Sequence, residues 1–336
     1  MTKPATIALG TFPFAGPFSR TSDDQNRELI ERFASLDGRH LDTAPTYAHG
    51  AVEELVGRVL ASGSRQRWVI ATSCGYVRKP DGSYDVSGRH EDIIADCDES
   101  LARLQTDVID VYYSHIPDPA TPFAETIGAM RELKSQGKIR AIGVSNVTLE
   151  QLHQYNAEGD VQFVQNRHSL VNRAISEDFS AYCRAAGITI SIYQALERGL
   201  LTDRGANVQT YRDGDLRASK PEFRLPVRER LAMFVQKHLK PIADSRGQSI
   251  ETLAVWWALQ QPQVGTVQCG ATRPEQIDRF MSALSMPTDA ELLAALEHAY
   301  AALTTHILDE HQMSVRGFMG LEAYNIYKGS ASGETR

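Results

Sequence analysis

Short apolar runs rich in β-branched residues alternate along the chain with longer stretches in which apolar residues recur every three or four positions. The first pattern predicts strands and the second amphipathic helices, and their regular alternation predicts βα units around a parallel sheet. Eight strands are expected, beginning at Thr6 (TIALG), His40 (HLDTA), Trp68 (WVIATS), Val108 (VIDVYYSH), Ala141 (AIGVSN), Phe163 (FVQNR), Thr189 (TISIYQAL) and Thr266 (TVQCG). Helical periodicity runs over Asp92 to Leu104 and over Pro122 to Gln136, among others. Several strand runs are nearly continuous in apolar character, as required when one face meets a barrel interior and the other a layer of helices. The expected fold is therefore α/β, a single-domain (β/α)8 TIM barrel over residues 1–302, with residues 303–336 as a C-terminal extension.

Polar residues collect at the ends of these runs: Asp42 and Tyr47, Ser73, His115, Ser145 with Asn146, Gln165 with Asn166, and Tyr193. In a closed parallel barrel the C-terminal strand ends converge on one mouth, where the active sites of this architecture sit. Two connections, Gly75 to His90 and Asp203 to Val227, exceed the usual span of roughly two to six residues and should overhang that mouth as lids or binding loops. Near the C-terminus Phe318, Met319, Tyr324 and Tyr327 are expected to dock on the barrel, and the final KGSASGETR to be frayed.

The balance of the 336 residues narrows the partners. With 42% hydrophobic and 23% charged residues the chain can build a large core, and a net charge of −7 argues against a general nucleic-acid binder, so a small molecule is the expected partner. No apolar run approaches the roughly 20 residues that span a bilayer, and MTKPATIALG lacks the layout of a secretion signal, so a cytoplasmic location is expected. Oligomeric state leaves no mark in the sequence. The four cysteines, Cys74, Cys97, Cys183 and Cys269, contain no C-x-x-C pair and read as packed thiols. No metal site is expected: His306, Asp309, Glu310 and His311 are close in sequence but lack a spacing that aims three ligands at one point. Ser73 has no nucleophile elbow around it, and the adjacent Trp256 and Trp257 should point to opposite sides of one helix.

A set of motifs in fixed order carries a more specific signal. These are LDTAPTY (Leu41 to Tyr47) followed by Glu53 and Gly57, WVIAT (Trp68 to Thr72), DESLARLQTDVIDVYYSHIPD (Asp98 to Asp118), GKIRAIGVSN (Gly137 to Asn146), VQNRHSLVNR (Val164 to Arg173), YQALERGLLT (Tyr193 to Thr202) and GATRPEQI (Gly270 to Ile277). In these motifs the sequence resembles the aldo-keto reductase family from about Ala8 to about Ala302, and its YRDGDLRASKPEF loop (Tyr211 to Phe223) is similar to that of bacterial members related to potassium-channel β subunits. The resemblance implies an NADP(H)-dependent oxidoreductase acting on a small carbonyl or alcohol. It assigns the catalytic acid to Tyr47, assisted by Asp42 and His115. It assigns the nicotinamide carboxamide to Ser145, Asn146 and Gln165 and the stacking ring to Tyr193. Gly199 and Leu200 match the backbone N–H cradle of the pyrophosphate, and Gly270, Thr272, Arg273 and Gln276 match the adenosine end, where an arginine favours NADP. Phe280 stands where the family often has an asparagine near adenine.

One departure changes the expected chemistry. The family's catalytic tetrad includes a lysine after the third strand, and the matching position here is Ser73 within Thr72-Ser73-Cys74-Gly75. A phenol with a pKa of about 10 is a poor acid at neutral pH, and a serine offers only a neutral hydrogen bond where a cation would stabilise the tyrosinate. Asp42 should accordingly acquire a raised pKa or another donor, with Arg78 or Lys79 of the long loop as candidate cations. Two other uses of the barrel stay open at this level: a non-redox elimination, isomerisation or cyclisation on Tyr47, Asp42 and His115, and a cofactor-sensing regulatory module.

Overall fold

The computed structural model describes residues 5–303, apart from Ser19, Ser64, residues 208–210 and 212–213, and Pro226. Among the described residues ten strands form: β1 (Thr6–Gly10), β2 (His40–Asp42), β3 (Val69–Cys74), β4 (Tyr76–Arg78), β5 (Tyr84–Val86), β6 (Ile109–Ser114), β7 (Ile139–Ser145), β8 (Phe163–Arg167), β9 (Thr189–Tyr193) and β10 (Val264–Cys269). Eight of them close a parallel barrel in the order β1-β10-β9-β8-β7-β6-β3-β2. Helices follow the barrel strands, from Asp23–Ser35 after β1 to Pro274–Ser282 after β10, and a last helix spans Ala290–Leu303. The (β/α)8 barrel read from the pattern is the fold.

Two strand starts lie earlier than the sequence pattern places them. Ile139 pairs with Ile109 and Val264 with Ile190, so β7 and β10 extend toward the barrel floor beyond the Ala141 and Thr266 expected. A larger difference lies in the connection 75–90, expected as an open loop. It folds back as the antiparallel hairpin β4–β5, with Tyr76 paired to Val86 and Arg78 to Tyr84. The turn is built locally: Gly82 takes φ 85°, and Asp81 accepts from both Ser83 N (2.9 Å) and Ser83 Oγ (2.6 Å).

The two faces of the strands bury against different layers. Ile70, Tyr112, Ile142, Val144, Val164 and Ile190 join the large core beneath the helices, whereas Ala71, Val111, Tyr113 and Ala141 pack together as a separate cluster. The alternation has the two-residue period of a strand, so the second set fills the barrel interior. Gly143 makes room there: a Cβ on it would come within 2.4 Å of the Tyr113 ring, whose hydroxyl meets Ser191 Oγ across the barrel at 3.1 Å. Helix His90–Leu104 shows how the outer layer docks, burying Ile93, Cys97, Ser100 and Leu104 at spacings of four, three and four. A fully buried Ile or Leu of this kind contributes roughly 1.5–3 kcal/mol.

The last helix is clamped from the mouth side of β8. Arg173 lies between the rings of Trp257 (4.3 Å) and Tyr300 (4.0 Å) and pairs with Glu297 at 3.0 Å. Trp257 Nε1 also donates to Glu297 (2.9 Å) while Trp256 Nε1 donates to Pro287 O (3.1 Å), so the two indoles face different partners as expected. All four cysteines are free and buried. Among the described residues no helix is long and apolar enough to cross a membrane, and no group of three or more His, Cys, Asp or Glu is placed to hold a metal ion. The docking expected of Phe318, Met319, Tyr324 and Tyr327, and the reading of His306, Asp309, Glu310 and His311, fall outside the described residues.

Candidate active site

Strand β2 delivers Asp42 to the barrel mouth, and the turn that follows bends into a short 3-10 helix at Tyr47–Gly50. Asp42 is 6% exposed. Its Oδ2 accepts two amide hydrogens, from Gln165 Nε2 (3.0 Å) in β8 and from Gln268 Nε2 (2.9 Å) in β10. Among the described residues no Lys or Arg pairs with this carboxyl. Burial raises its pKa to about 7, partly offset by the Gln165 hydrogen bond. The Tyr47 phenol is raised far above the ordinary tyrosine range, first by burial and then by the proximity of Asp42, Tyr193 and Tyr76.

His115 follows β6 on the same rim. Its Nδ1 meets Ser73 Oγ, from β3, at 2.8 Å, and burial brings the imidazole pKa down to about 4, so the ring is neutral at physiological pH. Ser73 therefore pairs with the histidine and not with Asp42 or Tyr47. The Tyr76 ring stands edge-on to His115 with centroids 5.1 Å apart. Because Tyr76 also acts on Tyr47, the phenol and the imidazole share one mouth.

The residues matched to the nicotinamide form one connected set. Asn146, held at φ 59°, donates from Nδ2 to His115 O (2.8 Å) and accepts at Oδ1 from Tyr193 Oη (2.5 Å). Ser145 Oγ donates to Gln165 O (2.8 Å). Beside Tyr193, Gln194 keeps a buried Oε1 with no partner among the described residues, an acceptor that a ligand hydroxyl or amide would satisfy. The donor set and this orphaned oxygen fit a nicotinamide nucleotide.

Farther along, the backbone N–H groups of Gly199 and Leu200 donate within their own turn, to Leu196 O (2.9 Å) and Glu197 O (3.0 Å), and Gly199 takes φ 94°. Glu222 reaches Arg198 at 2.7 Å, and Arg217 lies 5.1 Å from the Phe18 ring, which ties the segment 214–223 across this turn to the loop after β1. At the start of helix Pro274–Ser282, Gln276 Oε1 accepts from Thr272 N (2.8 Å) and Arg273 N (3.2 Å). Arg273 is exposed, and Gly270 lies against Pro13, where a Cβ would come within 2.6 Å of Cγ. Phe280 is fully buried in the core, pointing away from any surface ligand.

The hairpin corrects one expectation. Lys79 is half-buried and bound to Asp85 at 2.7 Å, and Arg78 at the end of β4 is exposed, so neither supplies the cation sought beside Asp42. What the hairpin brings to the mouth is aromatic. Tyr76 and Tyr84 pack edge to face at 6.1 Å, Tyr84 meets His49 Nδ1 at 2.9 Å, and on the opposite side Phe12 stands edge-on to Tyr47 at 5.1 Å. Sequence reasoning missed these aromatics and Gln268. The signal for Gln268 was available: it interrupts TVQCG with a carboxamide at an inward-facing position.

The Aldo/keto reductase family matches over residues 6–301. The chain is 35% identical over 275 residues to the aldo-keto reductase YhdN of Bacillus subtilis, covering 81% of this chain and 81% of that protein. It is also 35% identical over 313 residues to the NADH-specific methylglyoxal reductase of Escherichia coli, covering 87% and 94%. Among solved structures, the glycerol dehydrogenase AKR11B4 of Gluconobacter oxydans superimposes with a TM-score of 0.81 at 29% identity, covering 91% of this chain and 94% of that one.

Proposed function

The chain belongs to the aldo/keto reductase family and is an oxidoreductase, and from that premise we propose that it is NADP(H)-dependent and interconverts a small carbonyl compound and its alcohol at the barrel mouth. The observation that carries this reading is the convergence of Tyr47, Asp42 and His115 with the connected set Ser145, Asn146, Gln165 and Tyr193. The 211–223 segment is our reason for placing the chain in the branch related to potassium-channel β subunits.

A bound nicotinamide supplies or accepts the hydride; the chain's own residues do the rest. Ser145, Asn146 and Gln165 offer the amide and hydroxyl groups that fit the carboxamide, and the Tyr193 ring offers a stacking face. The turn at Gly199 and Leu200 would face the pyrophosphate, although its own N–H groups are bonded within the turn, and Gly270, Thr272, Arg273 and Gln276 would hold the adenosine end. Tyr47 gives its proton to the carbonyl oxygen as charge develops there. With the Ser73 hydroxyl donating to Nδ1, the neutral His115 would present Nε2–H to the same oxygen and orient it. Ser73 thus acts on the histidine, in a tetrad that lacks a cation.

Consumption of NADPH with a panel of small aldehydes, ketones and dicarbonyls is the test. Wild type should turn over at least one class, and Tyr47→Phe should lose about a hundredfold or more in kcat while keeping its affinity for NADPH. Binding of NADPH without consumption would instead favour the cofactor-sensing use of the barrel. NADPH should bind more tightly than NADH, and Arg273→Gln should narrow that difference by about tenfold. Equal affinities would contradict the NADP preference, and tighter binding of NADH would place this chain with its NADH-specific relative.

A further inference from the structure

The pair of carboxamides on Asp42 is the least expected feature of the mouth, and it rests on the oxidoreductase reading only for its kinetic consequence. Gln165 and Gln268 arrive from different strands, β8 and β10, and both donate to the same oxygen, Oδ2. Gln268 is 8% exposed and spends its amide on this contact from inside the barrel. We propose that Gln268 is a positioning residue for catalysis: with Gln165 it fixes the Asp42 carboxyl through Oδ2, taking over the holding role of a cation and leaving Oδ1 as the oxygen that carries the proton. A carboxylic acid has one carbonyl-like oxygen and one hydroxyl oxygen, and the carbonyl-like one is the better acceptor. Two N–H donors on Oδ2 therefore select it as the acceptor and place the proton on Oδ1.

The surroundings make that proton consequential. The titratable groups facing Asp42 are two phenols, Tyr47 from the turn after β2 and Tyr113 from β6, whose acidity Asp42 weakens when ionised. Among the described residues its other partners are neutral: the Gln165 and Gln268 amides and the Thr11 hydroxyl, which donates to Asp42 O at 3.0 Å. An ion pair would lock Asp42 in its charged form. Two neutral amides stabilise the carboxylate enough to hold its geometry and leave it free to take up a proton near neutrality. Tyr47 then works beside a neutral acid at low pH and beside an anion at high pH.

The experiment is an infrared titration of the Asp42 carboxyl, identified by the band that Asp42→Asn removes, in wild type, Gln268→Leu and Gln268→Glu. In wild type the protonated-carboxyl band should disappear as pH rises through about 7. Gln268→Leu removes one donor to the charged form, so its midpoint should move up by about one pH unit. Gln268→Glu adds a like charge and should move it further in the same direction, which keeps the test alive if the leucine variant fails to fold. A merely structural role would lower thermal stability and leave both midpoints in place, and that result, or a wild-type midpoint below pH 5, overturns the proposal. Displaced midpoints with no carbonyl reduction at any pH would uphold the hold of Gln268 on Asp42 and sink the carbonyl-reduction reading of the mouth instead.

Discussion

Asp42 carries a cost that its surroundings explain. Its pKa in the fold is about 7, above the usual carboxylate value, because burial removes water and no cation replaces it. For an acid raised on folding, the native state holds the proton more tightly than the unfolded chain, so stability falls as pH rises from about 4 to about 7 and is level above. Asn at this position would present a neutral oxygen to Gln165 and Gln268 without that penalty. Asp42→Asn should therefore match wild type in urea denaturation at pH 4 and exceed it at pH 8 by about 2–4 kcal/mol, while losing its pH-dependent reduction. Equal stability at pH 8 would mean that the carboxylate is compensated. The sequence, with Ser73 where the family it resembles has a lysine, led to the expectation that Asp42 would show a raised pKa or another donor; burial raises its pKa, and Gln165 and Gln268 donate to it. The sequence did not name the donor, because Gln268 lies 226 positions away and only barrel closure brings the two together.

Among the elements, the hairpin β4–β5 shows where periodicity runs out. Three-residue strands leave too short a window for alternation to register, so 75–90 reads as a loop until the chain is seen to pair with itself. Its attachment to the barrel is aromatic, through Tyr76 on His115 and Tyr84 on His49, and little of it is buried in the main core. Tyr76→Ala should consequently raise KM for carbonyl substrates several-fold and leave thermal stability within about 1 kcal/mol of wild type, since such contacts contribute roughly 0.5–1.5 kcal/mol. Steady-state kinetics beside a melting curve checks this, and a large stability loss with unchanged KM would show that the hairpin is a strut and not a wall of the pocket. The eight barrel strands, by contrast, were legible because each is flanked by turn residues and a helix of clear period.

At the scale of the whole molecule, the barrel gathers residues from at least six strand ends around one mouth: Asp42, Ser73, His115, Asn146, Gln165 and Gln268 touch in a continuous set of polar contacts that reaches Tyr193. Among the described residues no cation bonds to Asp42 or Tyr47, and the nearest to the set, Arg167 and Arg198, act on Tyr193 at its far end. The phenol that must give up a proton is weakened by its neighbours, and of those neighbours only Asp42 changes charge near neutrality. His115 stays neutral down to about pH 4 and contributes nothing to the same window. Reduction should accordingly be governed by Asp42, faster when that carboxyl is protonated and Tyr47 faces no anion. The measurement that tests this most directly is the single-turnover rate of hydride transfer from bound NADPH to a reducible aldehyde between pH 5.5 and 8.5. The rate should climb as pH falls through about 7; a flat profile, or one that climbs toward alkaline pH, would contradict a proton supply set by a cation-free Asp42.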